Sequence, residues 1–461
     1  MRVRSAVVLA VVTSVLSGCG GGGGSSSRNS ATAPISTATT TPTTSTTTPT
    51  PTVPTTPGGG STTTTGGNTS SGSAATGATS GGYSGGTGNF VDASALLPNS
   101  SAQDYGADAA DLDGDNDIDI AIAVNGGGPS RILWNEPTGF VERAGSFPST
   151  VMAATDVRVV NVDGDQDLDL IFCANYEPVR VFLNNGLGVF TAGGEFNIGN
   201  DCLTYNIALG DVEGDGDQDV FLANAGQSTV SRGQNKLFLN NGQGVFTQAA
   251  ANAIPVKNDD SLDATFFDVD RDGDLDIFVA NFGVAHSLLV NDGTGLFLNQ
   301  ADVWLPPALT RYGTSVAHGD LDRDGKVDLY VCNEGVGTGG GLPPGEKNTL
   351  LLQNLTLAKF DDASTRVPSE AEASFAVRLI DVNGDGWQDV IVSNLRAVQR
   401  LFLNQQGILV DSTSTLPAVN SLLNNATGSH GLTIGDFNAD LAPDVFFVRR
   451  GQKPWLFLNT R

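Results

Sequence analysis

The sequence predicts an all-β protein, a seven-bladed β-propeller with four-stranded antiparallel blades occupying residues 90–461. Three observations lead there. An acidic stretch of nine residues recurs seven times, starting at residues 111, 161, 211, 268, 320, 381 and 436. A mean period of about 54 residues marks a repeated supersecondary unit rather than a set of independent domains. Each copy is followed by the same succession of short runs rich in Val, Ile, Leu and Phe, separated by Asn and Gly, which read as strands and hairpin turns. No stretch carries the periodicity of a long amphipathic helix. Four strands in each of seven units suit radial blades, whereas a sandwich would need far fewer strands and would leave the constant period unexplained.

Those runs fix the order within a unit. The acidic loop leads into an apolar strand ending near an Asn, as in DVFLAN (219–224) and DIFVAN (276–281). A second strand closes on Asn135, Asn184, Asn240, Asn291, Asn354, Asn404 or Asn459, and an Asn/Gly turn opens a Gly-x-Phe strand such as Gly244-Val245-Phe246. The last strand runs into the next loop. Gly88-Asn89-Phe90-Val91 resembles the start of such a Gly-x-Phe strand, and the chain stops one strand short of a complete unit. Residues near Phe90 are therefore expected beside residues 455–459, which would leave no edge between first and last blades. Copies one and two carry one extra residue before Asn125 and Asn175, a slip that swaps strand faces unless a bulge or the turn absorbs it.

The amino end is of another kind. Arg2 and Arg4 precede an uncharged run, residues 6–16, that is too short to span a membrane and ends in Leu16-Ser17-Gly18-Cys19; this fits a secretory signal. The LSGC string resembles the lipobox of bacterial lipoproteins. That resemblance implies a signal peptide over 1–18, lipidation at Cys19, and a place in the bacterial cell envelope, lipid-anchored at the outer membrane or cell surface. Residues 19–89 are almost entirely Gly, Ser, Thr, Pro, Ala and Asn with Arg28 as their only charge, and read as a disordered tether. At roughly 5–6 Å × √n its root-mean-square span is about 45–50 Å. A G-x-S-x-G string at 82–86 has no flanking strand and helix and does not read as a nucleophile elbow; the sequon at Asn68 carries no weight.

Charge narrows the partners. Against 24 Lys+Arg stand 50 Asp+Glu, a net charge of −26, and every acidic residue lies beyond residue 89. With no cluster of Lys or Arg, nucleic acid is excluded as a partner. Such a chain seeks cations.

The spacing D-x-D-x-D-G-x-x-D resembles the calcium loop of FG-GAP/VCBS repeat proteins and of the integrin alpha-subunit propeller, and its first half resembles an EF-hand loop. The resemblance extends over the whole chain from about residue 90. It implies structural Ca²⁺ at up to seven sites, held by side chains at loop positions 1, 3, 5 and 9 and the carbonyl of position 7, since hard oxygens on a flexible loop suit Ca²⁺. In copy four these are Asp268, Asp270, Asp272 and Asp276 with the carbonyl of Asp274, and Gly273 supplies the tight turn at position 6. Copy one offers Asp111, Asp113, Asp115 and Asp119 with Asp117; copy three Asp211, Glu213, Asp215 and Asp219 with Asp217; copy five Asp320, Asp322, Asp324 and Asp328 with Lys326. Copy two begins with a neutral ligand, Asn161, followed by Asp163, Asp165 and Asp169 with Asp167, and has Gln166 at position 6. Copy six has Asp381, Asn383, Asp385 and Asp389 with Trp387. Copy seven has Asp436, Asn438, Asp440 and Asp444 with Ala442, but Leu441 stands where glycine is expected and Pro443 follows, so its site is the doubtful one. Positions 1, 3, 5 and 9 hold half of all the acidic residues.

Little else suggests chemistry. His286, His318 and His430 fall in different units with no common phase and read as surface or structural residues. Cys173 and Cys332 occupy equivalent strands of nonadjacent units and should not pair, while Cys202 lies within reach of Cys173 in the next unit. Trp134 and Trp455 read as core, Trp387 as a stacking surface or a shield beside its loop, and the Gly-rich segment 333–347 as the largest departure from the unit. Lys236, Lys326, Lys347, Arg396 and Arg400 form no recognisable catalytic site. The reading is a calcium-stabilised, surface-tethered binding or adhesion module for an extracellular carbohydrate or protein ligand, touching membrane only through its anchor. Its alternatives are a scaffold of a cell-envelope complex and a calcium-dependent polysaccharide lyase.

Overall fold

The computed structural model describes residues 83, 85–149, 151–196, 198, 202–226, 233–307, 309–335, 345–368, 371–418 and 428–461. The signal segment, Cys19, the tether up to residue 82, Ser84, residues 336–344 and the side chain of Cys202 lie outside the described residues.

Seven strands precede the seven acidic loops: Asp104–Ala110, Val151–Val160, Cys202–Gly210, Ser261–Phe267, Thr310–Gly319, Ser374–Ile380 and Ser429–Gly435. Each pairs antiparallel with the strand that follows its loop, and two more strands complete a four-stranded sheet. These seven strands also neighbour one another in a closed cycle, the first beside the second and beside the last. They are therefore the inner strands of a β-propeller.

Alternation along each strand puts apolar side chains on both faces, and they meet between blades. Ala121, Trp134, Val157 and Phe172 join the first two blades in one cluster; Ile120, Leu133, Phe446 and Leu456 join the first to the last. The intervening junctions have their own clusters, so the core is divided into sectors. Trp134 is fully buried under the Arg143 guanidinium, 4.6 Å from the ring centroid, and Trp455 lies beneath Arg449 at 4.0 Å. Both tryptophans belong to the core, as expected.

Every inner strand carries a β-bulge near its start. The residue left over is Tyr105, Thr155, Tyr205, Leu262, Thr314, Phe375 or His430, and all seven line one cavity on the axis. This settles the extra residue of copies one and two. Val124 and Ala174 take the register that Asn281 holds in copy four, so no face is swapped, and Asn125 and Asn175 sit one residue further on, in the connection. There Asn125 pairs with Ala153 of the next blade, an extension also made between Phe282–Ala285 and Thr310–Tyr312.

The ring closes as the ends of the sequence suggested. Phe90–Asp92 pairs with Trp455–Asn459, matching Phe90 to Asn459 and Asp92 to Phe457, and backbone bonds from Thr87 to Thr460 and from Thr460 to Asn89 extend the seam. Cys173 and Cys332 are free, buried thiols. The histidines are structural rather than superficial. His286 Nδ1 accepts the Asn281 N–H at 3.1 Å, His318 Nδ1 lies 2.7 Å from the Thr265 hydroxyl, and burial pulls both imidazoles down to about 4.

Deleting residues 84–94 leaves every acidic loop intact but strips the outer partner from Trp455–Asn459. The shortened protein should melt earlier in calorimetry and associate through the bared edge in sedimentation; a monomer with unchanged melting temperature would show that this strand does not close the ring.

Candidate metal centre

Each acidic loop is wound by its own side chains. In copy four Asp268 Oδ1 accepts the N–H groups of Arg271 (2.6 Å) and Asp272 (3.2 Å), and its Oδ2 accepts that of Gly273 (3.1 Å). Asp272 Oδ1 accepts the N–H of Asp274 at 3.0 Å. Such Asx turns require left-handed backbone, and positions 4 and 6 have positive φ in all seven copies. Glycine usually fills them, but Gln166 (φ 85°) and Leu441 (φ 66°) adopt the same conformation at about 1–2 kcal/mol each. Copy seven is thus wound like the others, with Leu441 donating to Asp436 Oδ2 at 2.8 Å.

Position 9 has a second task. Its Oδ2 accepts the N–H of position 2 at 2.7–3.1 Å in every loop. Its Oδ1 accepts, at 2.7–2.9 Å, the N–H of the residue ending the third strand from the axis: Asn135, Asn184, Asn240, Asn291, Gln353, Asn404 or Asn459. The side-chain amide of that same residue donates to the position-2 carbonyl of the preceding blade at 2.6–3.0 Å, from Asn135 to Phe437 round to Asn459 to Val382. A ring of seven amide latches results. In copy five the latch is Gln353, not Asn354 as the strand-end pattern suggested; aligning Leu350-Leu351-Leu352-Gln353 with Leu456-Phe457-Leu458-Asn459 would have found it.

Burial pushes these position-9 carboxyls far up against the lowering effect of their N–H bonds: to about 7 at Asp119, Asp169, Asp219, Asp276, Asp328 and Asp389, and to about 8 at Asp444. Since the unfolded chain ionises near 3.8, each one loses stability for the fold as pH rises from about 4 to its folded value, about 7 or, for Asp444, about 8, so most of the penalty is present at neutral pH. Asp115, Asp163, Glu213, Asp270 and Asp322 are raised as well, by burial first and by neighbouring loop carboxylates beside it.

The donor set fits a hard cation. In three loops, one oxygen from each of three carboxylates falls within 4.8 Å of the others: Asp111, Asp113 and Asp115; Asp268, Asp270 and Asp276; Asp320, Asp322 and Asp328. These acidic clusters could hold a metal. Part of the charge already has protein partners: Arg143 pairs with Asp113 and Lys326 with Asp324, while Arg366 stands 3.8 Å from Asp322. Arginines at position 4 reach the next loop instead, Arg271 to the Gly325 carbonyl and Arg323 over the Trp387 ring at 5.0 Å. One face of Trp387 is therefore covered by Arg323.

A profile of the FG-GAP-like repeat matches residues 111–172, 161–222, 211–279, 268–331 and 381–447. The chain belongs to the FG-GAP-like repeat family. Each match of this FG-GAP-like protein runs from one acidic loop through the next, and together the five contain all seven loops. No curated protein matches the sequence. Among solved structures, BBS1N in complex with ARL6DN, soaked with mercury, is similar at a TM-score of 0.49 and 12% identity over 81% of this chain and 98% of that chain.

Position 9 and position 5 separate structural from ligating roles. In chelator, Asp276→Ala should lower stability by about 2–4 kcal/mol, because it leaves the buried Val269 and Asn291 amides unpaired. Asp272→Ala, on an exposed carboxylate, should change it by less than about 0.5 kcal/mol. Denaturant titration of both variants checks this; equal losses would deny position 9 its structural task.

Proposed function

We propose that the protein is a calcium-stabilised binding module, tethered by lipid at Cys19 to the bacterial cell envelope and presenting its propeller to an extracellular carbohydrate or protein ligand. The observation that carries the calcium reading is the convergence of three carboxylates within 4.8 Å of one another in each of three loops, on turns wound by their own side chains. Ca²⁺ bound there would draw on side chains at positions 1, 3, 5 and 9 and would supply positive charge to a loop that is otherwise self-repelling. The chain's own residues do the rest: Asx turns hold the ligands in place, and the amide latches transmit loop order to the neighbouring blade. Family membership and a propeller of this size support binding or scaffolding as its work.

Free calcium at about 100 Kd should add roughly 2.7 kcal/mol per occupied site. Melting temperatures with calcium should accordingly exceed those in chelator, and with calcium present Asp272→Ala should cost more than Asp440→Ala, since three carboxylates of loop four converge within 4.8 Å whereas loop seven has the neutral Asn438 at position 3. Identical melting in both conditions, with no calcium by elemental analysis, would defeat the reading. A glycan and envelope-protein binding screen with and without Ca²⁺ tests the ligand class, and binding to neither would remove the module assignment.

The anchor is tested separately. Cys19→Ala should release the protein from membranes or block its processing; unchanged membrane association and mature mass would contradict lipidation.

A further inference from the structure

The axial cavity is unlike the loops: its lining varies from blade to blade. The bulge residues give it a rim with four rings, Tyr105, Tyr205, Phe375 and His430. Three of them form one cluster, with His430 5.1 Å from Tyr105 and 5.3 Å from Phe375. Deeper in, the inner strands contribute charges that sustain one another. Asp156 accepts from Arg158 at 2.8 Å and from the Ile207 N–H at 3.0 Å. Asp263 accepts from the Val316 N–H and Asp108 from the Val159 N–H, both at 2.9 Å, and Arg378 is buried among them. Burial raises all three carboxyls, Asp156 to about 6.

Two polar atoms of the cavity lining are left unsatisfied. Asn206 is 8% exposed and lines the cavity, yet its Oδ1 has no hydrogen-bond partner. His430 Nδ1 is likewise buried and unpartnered, and burial first, then Arg450 and Arg396, lowers the pKa of its imidazole. An amide acceptor and an imidazole nitrogen beside aromatic faces match a group whose hydroxyls both donate and accept, on rings that stack against its C–H surface. Ammonium ligands would meet Arg158 and Arg378, and anions would meet Asp156 and Asp263. The cavity volume, about 60 Å³, admits only the end of a ligand.

We infer that the axial cavity, framed by Tyr205, Phe375 and His430 and lined by Asn206, binds the terminal sugar of a glycan by its hydroxyl groups. This rests on the reading of the protein as a binding module and gives it a site and a ligand class. The experiment uses the purified protein and, as probes, free glucose, galactose, mannose and N-acetylglucosamine with their trimers, followed by saturation-transfer NMR and calorimetry. At least one probe should bind, and both Asn206→Leu, which removes the acceptor and fills its place, and Leu262→Trp, which narrows the rim from a half-exposed position, should weaken it at least tenfold while calcium-loaded melting stays unchanged. If Asn206→Leu fails to fold, Leu262→Trp alone decides. No binding by any probe overturns the inference. Binding that neither variant weakens, or a saccharide-soaked crystal with only ordered water on the axis, overturns the site while leaving the module reading intact; loss of that reading would show instead as an empty binding screen.

Discussion

One carboxylate per blade organises the ring. The position-9 aspartate ties the start of its loop to the end of the third strand, and the amide at that strand end reaches the loop of the blade before it. Loop, blade and neighbour are thus joined through two side chains. The arrangement needs position 9 to be an acceptor with two oxygens at a fixed distance from both backbones, which Asp meets and longer or neutral side chains do not. Its cost is a ring of buried carboxyls held near or above 7. A structure that gains so much from one residue type also accumulates acidic side chains at one end of its blades, where a cation could offset their charge.

The sector cores depend on that frame. No blade buries both of its faces alone; Trp134 is covered by the second blade and Phe446 meets the first. A four-stranded sheet by itself would expose two apolar faces, so stability belongs to neighbouring pairs, as in other stacked repeats. Closure by Phe90–Asp92 matters for the same reason. It supplies the strand that the last blade lacks and lets the first and last cores meet.

The sequence showed some of this plainly and hid the rest for physical reasons. The acidic loops were legible because ligand and turn chemistry both constrain the same nine positions, and closure was legible because a Gly-x-Phe start was left without a blade at one terminus. The bulges were not: they arise where seven inner strands bend at the axis, and the leftover residues run from Thr155 to Phe375 with no shared side chain. Leu441 looked unfit for its turn because propensity favours glycine at positive φ, but the N–H groups of Asp440, Leu441 and Ala442, accepted by Asp436, Asn438 and Asp440, hold the loop regardless. Gln353 escaped notice because Asn354 beside it completed the expected pattern, while one added methylene lets glutamine make the same reach to Val269.

The two ends of each inner strand are therefore under opposite demands. At the loop end, acceptor geometry and left-handed turns must be repeated in every blade, because each latch supports the next and a single missing one would loosen a sector. At the bulge end the extra residue bears no ladder bond, so it is released from the pattern and can be aromatic at Tyr105, hydroxylated at Thr314 or basic at His430 without disturbing its blade. A repeat that fixes its frame in this way concentrates its freedom on the axis. Asymmetry in an otherwise sevenfold molecule arises there, and recognising a ligand without sevenfold symmetry requires such asymmetry.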